Sequence, residues 1–213
     1  MACTKCGYEM DNYHTYYHRF LSELVPKVGL DPIKPPQLTI LVLGEPGVGK
    51  TTFITRFTTG EYIATHTPTP GVKLVSMRLP VTSSVYTGDI SIVFCEIGGA
   101  KTWEVCHNTI TKVDGIIFMS HEDTRVQYWL NRIEKYWKNT PTILCYTKRD
   151  LSTKSTMGLY LAQYMYDKPE KNYLMFEIST RATWNFEKPV LYHIRRYLGC
   201  KNAQFVESTV VLC

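Results

Sequence analysis

The sequence of this chain predicts a three-layer α/β fold, in which helices cover both faces of a six-stranded, mostly parallel sheet. From Leu38 onward, short runs rich in β-branched and aromatic residues alternate with longer amphipathic stretches, which is the pattern of βαβ units. A glycine-rich segment, Gly44 to Thr51, separates the first apolar run from the first amphipathic stretch. The hydrophobic content of 44% over 213 residues is sufficient for one full core.

The apolar runs and amphipathic stretches define the expected elements. The predicted strands are Leu38–Leu43, Lys73–Leu79, Ser91–Glu96, Gly115–Met119, Ile143–Tyr146 and Tyr173–Glu177. The predicted helices, about five in all, are Lys50–Thr58, Thr102–Thr111, Arg125–Trp137, Thr156–Tyr166 and Asn185–Leu198. Apolar residues recur at helical spacing in the third helix, which predicts that its tryptophans belong to the core.

The chain is expected to divide into three parts. Residues 1–36 form an N-terminal extension that ends in a proline-rich connector, because the prolines of Asp31 to Pro36 favour an extended chain. Residues 37–200 form the folded domain, and residues 201–213 form a C-terminal tail.

Composition excludes several classes of function. The net charge is only +5 and the basic residues form no block, so nucleic acid is not an expected partner. No apolar run approaches the roughly 20 residues needed to cross a bilayer, and the N-terminus has no apolar signal segment. The seven cysteines are an odd number and scattered, which favours reduced thiols. We therefore expect a protein of the cytoplasm or nucleus.

The segment Gly44 to Thr51 matches the phosphate-loop pattern G-x-x-x-x-G-K-[ST] between a strand and a helix. Its glycines allow successive backbone N–H groups to face phosphate oxygens, at the positive end of the following helix. Lys50 is expected to reach the β- and γ-phosphates, and Thr51 to ligate Mg²⁺. The candidate binding residues of this segment are Gly44, Glu45, Pro46, Gly47, Val48, Gly49, Lys50, Thr51 and Thr52.

With this loop, two further segments give the chain a family resemblance. The loop, the run Thr59 to Tyr62 and the run Thr69 to Val72 resemble the small GTPases of the Ras superfamily, and among them the Ran family most. The late segments Trp184 to Pro189 and Phe205 to Glu207 also resemble Ran. The resemblance implies a P-loop GTPase fold that binds GTP or GDP with Mg²⁺. It also implies that Thr69 closes on Mg²⁺ and the γ-phosphate, and that Tyr62 lies beside the guanine.

The guanine-recognition motif of the family, Asn-Lys-x-Asp, appears here as Thr147 to Asp150. The resemblance implies that the Asp150 carboxylate accepts hydrogen bonds from the guanine and that Lys148 lies over the base. Thr147 replaces an asparagine that ties the base loop to the phosphate loop, so we expect weaker affinity with guanine preference kept. A supporting loop near the base is formed by Ser179, Thr180 and Arg181.

The second switch of the family begins Asp-x-x-Gly-Gln, whereas this chain has Glu96-Ile97-Gly98-Gly99-Ala100. Glu96 keeps a carboxylate for the metal but is one methylene longer, so we expect its contact with the metal shell to shift or become direct. Gly99 keeps the N–H that faces the γ-phosphate. Ala100 replaces the glutamine that orients water, and no other residue is assigned a catalytic role. We expect GTP hydrolysis to be impaired. The candidate metal ligands are Thr51, Thr69 and Glu96.

The ends of the chain and one loop leave alternatives open. Cys3, Cys6, His14 and His18 form either a zinc site or part of a flexible tail or short helix, since their central gap is shorter than the usual finger spacing. Cys213 lacks the residues that must follow a prenylated cysteine, so no membrane anchor is expected. The segment Val81 to Gly88 is longer than in Ran and is either near a partner surface or a tolerated hairpin extension.

Three functions follow from these features. The first is a Ran-like switch in nucleocytoplasmic transport, located in the nucleus and cytoplasm, whose switch regions contact nuclear transport receptors or Ran regulators. The second is a Rab-like trafficking GTPase, which the missing lipidation sites disfavour. The third is a pseudo-GTPase that serves as an interaction module and uses nucleotide only as a structural ligand.

Overall fold

The described part of this computed structural model comprises residues 35–65, 67–98, 103, 110, 112–121, 125–151 and 173–206. Within it the chain forms one sheet of seven strands and three helices. The strands are β1 Gln37–Leu43, β2 Val72–Thr82, β3 Thr87–Ile97, β4 Gly115–Ser120, β5 Thr142–Tyr146, β6 Leu174–Glu177 and β7 Gln204–Phe205. The helices are α1 Lys50–Thr59, α2 Val126–Tyr136 and α3 Lys188–Leu198.

The strand order places five carboxyl ends at one edge of the sheet. The order is β6-β5-β4-β1-β3-β2-β7. Strand β1 is parallel to both of its neighbours, β3 and β4, and the parallel pairing continues through β5 and β6. Strand β2 is antiparallel to both of its neighbours, β3 and β7. The segments that follow β1, β3, β4, β5 and β6 therefore meet at one edge, where ligands of open α/β sheets bind.

The core lies on both faces of this sheet because the strand side chains alternate. In β1, Ile40 and Val42 join one buried cluster and Leu41 and Leu43 join the other. Helices α1 and α3 pack on the first face, and α2 packs on the second. This arrangement confirms the predicted three-layer α/β fold.

A phenylalanine cluster fixes α1 on its face of the sheet. The ring centroids of Phe53 and Phe186 are 5.1 Å apart, and those of Phe57 and Phe186 are 5.6 Å apart. Phe205 of β7 contacts Phe57 with a centroid distance of 6.3 Å. Pairs at such distances stabilise a core beyond the area that they bury. The cluster therefore joins α1 to the segment just before α3 and to the last described strand.

Within the described residues, the predicted strands and helices lie at the expected places, but β2 and β3 extend further towards the hairpin between them, one strand is added and one helix begins later. The sheet has seven strands rather than six, because the pair Gln204–Phe205 adds to β2 at Val81 and Thr82; a strand of two residues is too short to show alternation. Helix α3 begins at Lys188 rather than Asn185, whose φ of 51° does not fit a right-handed helix. The predicted helix Thr156–Tyr166 lies outside the described residues, as does Thr102–Thr111 apart from residues 103 and 110.

The segment Val81 to Gly88 forms the tip of the hairpin that joins β2 to β3. The strands pair as far as Thr82 and Thr87, and the Ser83 N–H donates to the Tyr86 carbonyl at 2.8 Å. The Ser84 hydroxyl lies 3.2 Å from Asn202 Oδ1, in the turn after α3. The longer segment is thus a hairpin extension that packs on the turn leading into β7, and a contact with partners there stays a prediction.

Several expectations about the ends of the chain fall outside the described residues. These include the candidate zinc ligands Cys3, Cys6, His14 and His18, and the C-terminal residues from 207 onward. Within the described ranges, Cys95, Cys145 and Cys200 are free thiols. No described helix combines the length and the apolar character needed to span a bilayer.

One titratable group is buried beneath α3. The His193 side chain is 1% exposed, and its Nε2 lies 3.1 Å from the Ile116 carbonyl oxygen. Gly115 makes room for the ring, since a Cβ at that position would lie 2.3 Å from Nδ1. Burial lowers the pKa of His193 to about 4, so the imidazole stays neutral in the fold.

This burial predicts acid sensitivity. Below a pH of about 6.5 the unfolded chain binds a proton that the folded chain does not, so the stability from neutral His193 is lost as the pH falls towards 4. The loss in the free energy of unfolding is roughly 3 kcal/mol across this window. Denaturant unfolding between pH 7 and 4 measures this loss.

The control variant is His193→Gln, which keeps a side-chain donor but does not titrate. It should remove the part of the pH dependence of stability that His193 causes. An unchanged pH dependence in the variant would contradict the prediction.

Candidate functional site

A cleft of about 350 Å³ opens at the edge where the five carboxyl ends meet. The residues that line it come from the loops after β1, β3, β5 and β6, from the first turn of α1, from the end of β3 and from the segment that joins α1 to β2. They are Pro46, Gly47, Val48, Gly49, Lys50, Thr51, Thr52, Tyr62, Ile63, Ala64, Thr65, Thr67, Pro68, Thr69, Glu96, Gly98, Thr147, Lys148, Asp150, Leu151, Thr180 and Arg181.

The loop after β1 turns sharply against the neighbouring strand. Gly44 has a φ of 144°, and a Cβ there would lie 2.1 Å from the Met119 carbonyl oxygen of β4. Only glycine fits this close approach. The loop then leads directly into α1, whose first residue is Lys50, so the positive end of the helix faces the cleft.

Lys50 is held inside the loop rather than extended into solvent. Its Nζ donates to the carbonyl oxygens of Gly44 at 2.8 Å and Glu45 at 3.0 Å, and the side chain is 4% exposed. Burial lowers the pKa of Lys50 to about 8, an effect that the carboxylates of Glu96 and Glu45 oppose. A buried ammonium group with this environment is suited to an anionic ligand in the cleft.

Three oxygen-bearing side chains converge next to Lys50. The Thr51 hydroxyl donates to Glu96 Oε1 at 2.5 Å, the Thr69 hydroxyl donates to the same oxygen at 3.0 Å, and the two hydroxyl oxygens are 2.9 Å apart. Glu96 is 1% exposed, and its Oε2 has no hydrogen-bond partner among the described residues. A buried carboxylate oxygen without a partner is costly, so this cluster favours a cation or a donor beside it.

Thr147 ties the loop after β5 to the phosphate loop. Its hydroxyl donates to the Val48 carbonyl at 2.9 Å and lies 3.2 Å from the Ser120 carbonyl. The Thr147 hydroxyl therefore makes the tie that the asparagine of the family makes, and the expected weaker nucleotide affinity stays a prediction. The shorter side chain suffices because the main chains of the two loops approach closely at this point.

Hydrogen bonds from the loop after β6 orient the Asp150 side chain. The Ser179 hydroxyl donates to Asp150 Oδ1 at 2.6 Å, and the Ala182 N–H donates to the Ser179 oxygen at 2.9 Å. On the same loop, the Arg149 guanidinium pairs with the Glu177 carboxylate at 2.9 Å. The bonds from Ser179 and Ala182 hold the Asp150 side chain at the cleft wall, whereas the partly exposed Arg149–Glu177 pair lies outside the cleft.

Comparison with known families settles the class of protein. The family described as "Ras of Complex, Roc, domain of DAPkinase" matches residues 39–150, which is more than half of the chain. The chain belongs to the Roc family. The match covers the phosphate loop, both switch segments and Asp150, and it supports the Ras superfamily GTPase-like fold. It supports no specific assignment to Ran.

The residues of this Roc domain fit a magnesium ion at the cluster of Thr51, Thr69 and Glu96. When both hydroxyls donate to the carboxylate, their lone pairs are directed away from it, and Glu96 Oε2 offers a further oxygen. Mg²⁺ binds through one or two carboxylates with phosphate oxygens and water completing the shell. No group of three or more His, Cys, Asp and Glu side chains suited to a metal occurs in the described ranges. Phosphate oxygens would therefore supply much of the shell.

The structure sorts the predicted site residues into three groups. Most of them line the cleft of the Roc domain. Gly44, Glu45 and Ser179 instead support it from behind, through the contacts given above. Gly99 and Ala100 lie outside the described residues, so their roles stay predictions.

Gly98 is a site residue that the sequence interpretation missed. A Cβ at this position would lie 2.0 Å from the Thr69 carbonyl oxygen, and the Gly98 N–H donates to the Gly71 carbonyl at 3.1 Å. The end of β3 and the segment before β2 are thus in direct backbone contact. The pair of adjacent glycines at 98 and 99 was the available signal.

Gly98→Ala should push Thr69 away from Glu96 and weaken the metal cluster. Overpacking of this kind costs roughly 1–3 kcal/mol, so Mg²⁺ should enhance nucleotide affinity about tenfold less in the variant than in the wild type. Titration of nucleotide with and without Mg²⁺ measures this difference.

Thr65→Ala serves as the control for Gly98→Ala, because Thr65 lines the same cleft whereas Glu96 Oε1 is bonded by Thr51 and Thr69. It should leave the effect of Mg²⁺ unchanged. Equal Mg²⁺ enhancement in the wild type and Gly98→Ala would contradict the role assigned to this contact.

Proposed function

We propose that this Roc domain is a guanine-nucleotide switch that binds GTP or GDP with Mg²⁺ and hydrolyses GTP slowly. The observation that carries the proposal is the convergence of Thr51, Thr69 and Glu96 beside the buried Lys50. The Lys50 ammonium would bind the β- and γ-phosphates, and the three oxygens would hold the ion. Mg²⁺ would neutralise phosphate charge when bound.

Preference for guanine is supported by the orientation of Asp150. The Ser179 hydroxyl bonds one carboxylate oxygen of Asp150, which fixes the plane of the group at the cleft wall. A carboxylate accepts from the N1–H and exocyclic amine of guanine, whereas adenine offers no matching pair of donors and would leave it unpaired.

Slow hydrolysis is supported by the sequence around the γ-phosphate position. Ala100 has no side-chain amide to orient an attacking water, and the charged Lys101 side chain offers only hydrogen-bond donors. Pro46 lines the cleft and lacks an N–H that the loop could donate to phosphate. Both features lower the rate of GTP hydrolysis more than the affinity for the nucleotide.

The base preference is testable by comparing GDP with IDP, which lacks the exocyclic amine. The wild type should bind GDP about tenfold more tightly than IDP, because one charge-assisted hydrogen bond is lost, and should bind ADP far more weakly. Asp150→Ala should abolish the difference between GDP and IDP. Calorimetric or fluorescence titration measures all three nucleotides.

Arg149→Ala provides the matched control on the same loop, since Arg149 pairs with Glu177 and does not line the cleft. It should keep the preference for GDP over IDP. Equal binding of GDP and IDP by the wild type would refute the assignment of Asp150. A purified chain that neither carries nor binds nucleotide would instead favour the interaction module.

Hydrolysis is tested in a single turnover with GTP and Mg²⁺. The rate should fall below about 10⁻⁴ per second, the scale of an intrinsic small GTPase that retains its glutamine. Ala100→Gln should raise it, whereas Ala100→Leu, which adds similar bulk without an amide, should not. A wild-type rate equal to that of ordinary family members would disprove slow hydrolysis.

A second candidate is the finer assignment to a Ran-like switch in nucleocytoplasmic transport, acting in the nucleus and cytoplasm. It is favoured by the resemblance of two late segments, Trp184 to Pro189 and Phe205 to Glu207, which lie beyond the residues that the Roc family matches. Its partners would be nuclear transport receptors or Ran regulators that contact the switch regions. Binding of such receptors to the GTP form and not to the GDP form is the test of this candidate.

A further inference from the structure

The carboxylate of Glu45, in the phosphate loop, is bonded to the core of the domain. Its Oε1 accepts a hydrogen bond from the Trp129 indole N–H at 2.9 Å, across 84 positions of sequence. Trp129 belongs to α2 and is fully buried. This contact joins the loop to the helix on the opposite face of the sheet from α1.

The indole end of this contact is fixed by aromatic packing. The rings of Trp129 and Trp103 meet edge to face with centroids 5.7 Å apart, and Trp103 meets Trp137 at 5.0 Å. Tyr128 packs against Trp129 at 5.7 Å. Because buried rings in such a cluster have little freedom to move, the Trp129 N–H is a fixed donor.

Glu45 also contacts the lysine of the loop through its main chain. Its carbonyl oxygen accepts from Lys50 Nζ at 3.0 Å, so the residue joins α2 through its side chain and Lys50 through its backbone. The neighbouring Pro46 lines the cleft, whereas Glu45 does not. The carboxylate therefore points away from the space in which a phosphate would lie.

A carboxylate in a phosphate-binding loop creates an electrostatic problem. Like charges a few ångströms apart repel, and the repulsion grows as water is excluded. A glutamate with two rotatable bonds before its carboxyl group could turn towards the cleft, where it would repel phosphate oxygens or compete for Lys50. The bond to Trp129 prevents that rotation.

We propose that Glu45 is a positioning residue for phosphate recognition. Its bond to the Trp129 indole keeps the carboxylate charge out of the cleft and holds the phosphate loop against α2. The inference rests on the proposed nucleotide binding. It assigns Trp129 a role beyond core packing, since the N–H group and not the ring carries the effect.

The test compares GDP affinity in the full chain and four variants. Trp129→Phe keeps an aromatic ring but removes the N–H, and should lower GDP affinity about tenfold, the value of a hydrogen bond to a charged group. Glu45→Gln alone should stay within about threefold of the wild type, because its amide oxygen still accepts from Trp129. The double variant Trp129→Phe with Glu45→Gln should recover most of the lost affinity, because it no longer places a free charge beside the phosphates.

Trp137→Phe is the matched control, because it removes an indole N–H from the same aromatic cluster without a contact to the loop. It should bind GDP as the wild type does. Unchanged GDP affinity in Trp129→Phe, or a double variant as weak as Trp129→Phe alone, would overturn the inference. Rescue by Glu45→Gln cannot arise from damage to packing, because a glutamine in the loop does not refill the core.

A second measurement needs no nucleotide. The indole N–H proton of Trp129 should resonate further downfield in the wild type and in Glu45→Gln, where residue 45 offers an acceptor oxygen, than in Glu45→Ala, where that acceptor is missing. The same resonance position in Glu45→Ala as in the wild type would overturn the bond between Glu45 and Trp129. Failure of the wild type to bind any guanine nucleotide would refute the proposed function, whereas normal binding by Trp129→Phe would refute only this inference.

Discussion

The parallel pairing of β1 with both β3 and β4 is the constraint on which the rest of the site depends. Because parallel strands end at the same edge, this pairing brings the loop after β1 beside Glu96 of β3 and the loops after β5 and β6. The apolar residues of β1 are buried on both faces, so a shift in register would move two hydrophobic clusters at once. The core therefore fixes where the loops of the cleft begin, and the contacts between the loops fix the side chains within it.

The cleft places charged and polar groups where burial is costly. Lys50 and Glu96 are both almost inaccessible to solvent, and one oxygen of Glu96 has no partner in the described part of the chain. Removing a charge from water is unfavourable unless a partner compensates, so both groups favour a ligand of complementary charge at this edge. A ligand that combines phosphate with a divalent cation would relieve both groups together. Under the proposed function, we therefore expect the phosphate and the cation to bind cooperatively.

Much of the fold followed from the sequence, because the strands are apolar runs and the phosphate loop is a contiguous pattern with a strand before it and a helix after it. What the sequence could not predict depends on contacts between distant residues. The tie from Thr147 to Val48 depends on the approach of two main chains, and the role of Gly98 depends on the position of Thr69. Trp129 fits helical periodicity and was correctly placed in the core, but periodicity does not reveal where an indole N–H points. Segments that are short, such as β7, carry too few residues to show a pattern.

The phenylalanine contacts of α1 also determine where the domain can be shortened. The helix is about 15 Å long, with Lys50 and Thr51 at the cleft and Phe57 near its far end. Phe57 rests on Phe205, a residue close to the end of the described chain. A fragment that stops before Phe205 would remove one of the rings that hold the far end of α1, and leave Phe57 packed on Phe94 and Phe186 alone. The described residues after α3 therefore help to support the helix that begins at the cleft, although none of them lines the cleft.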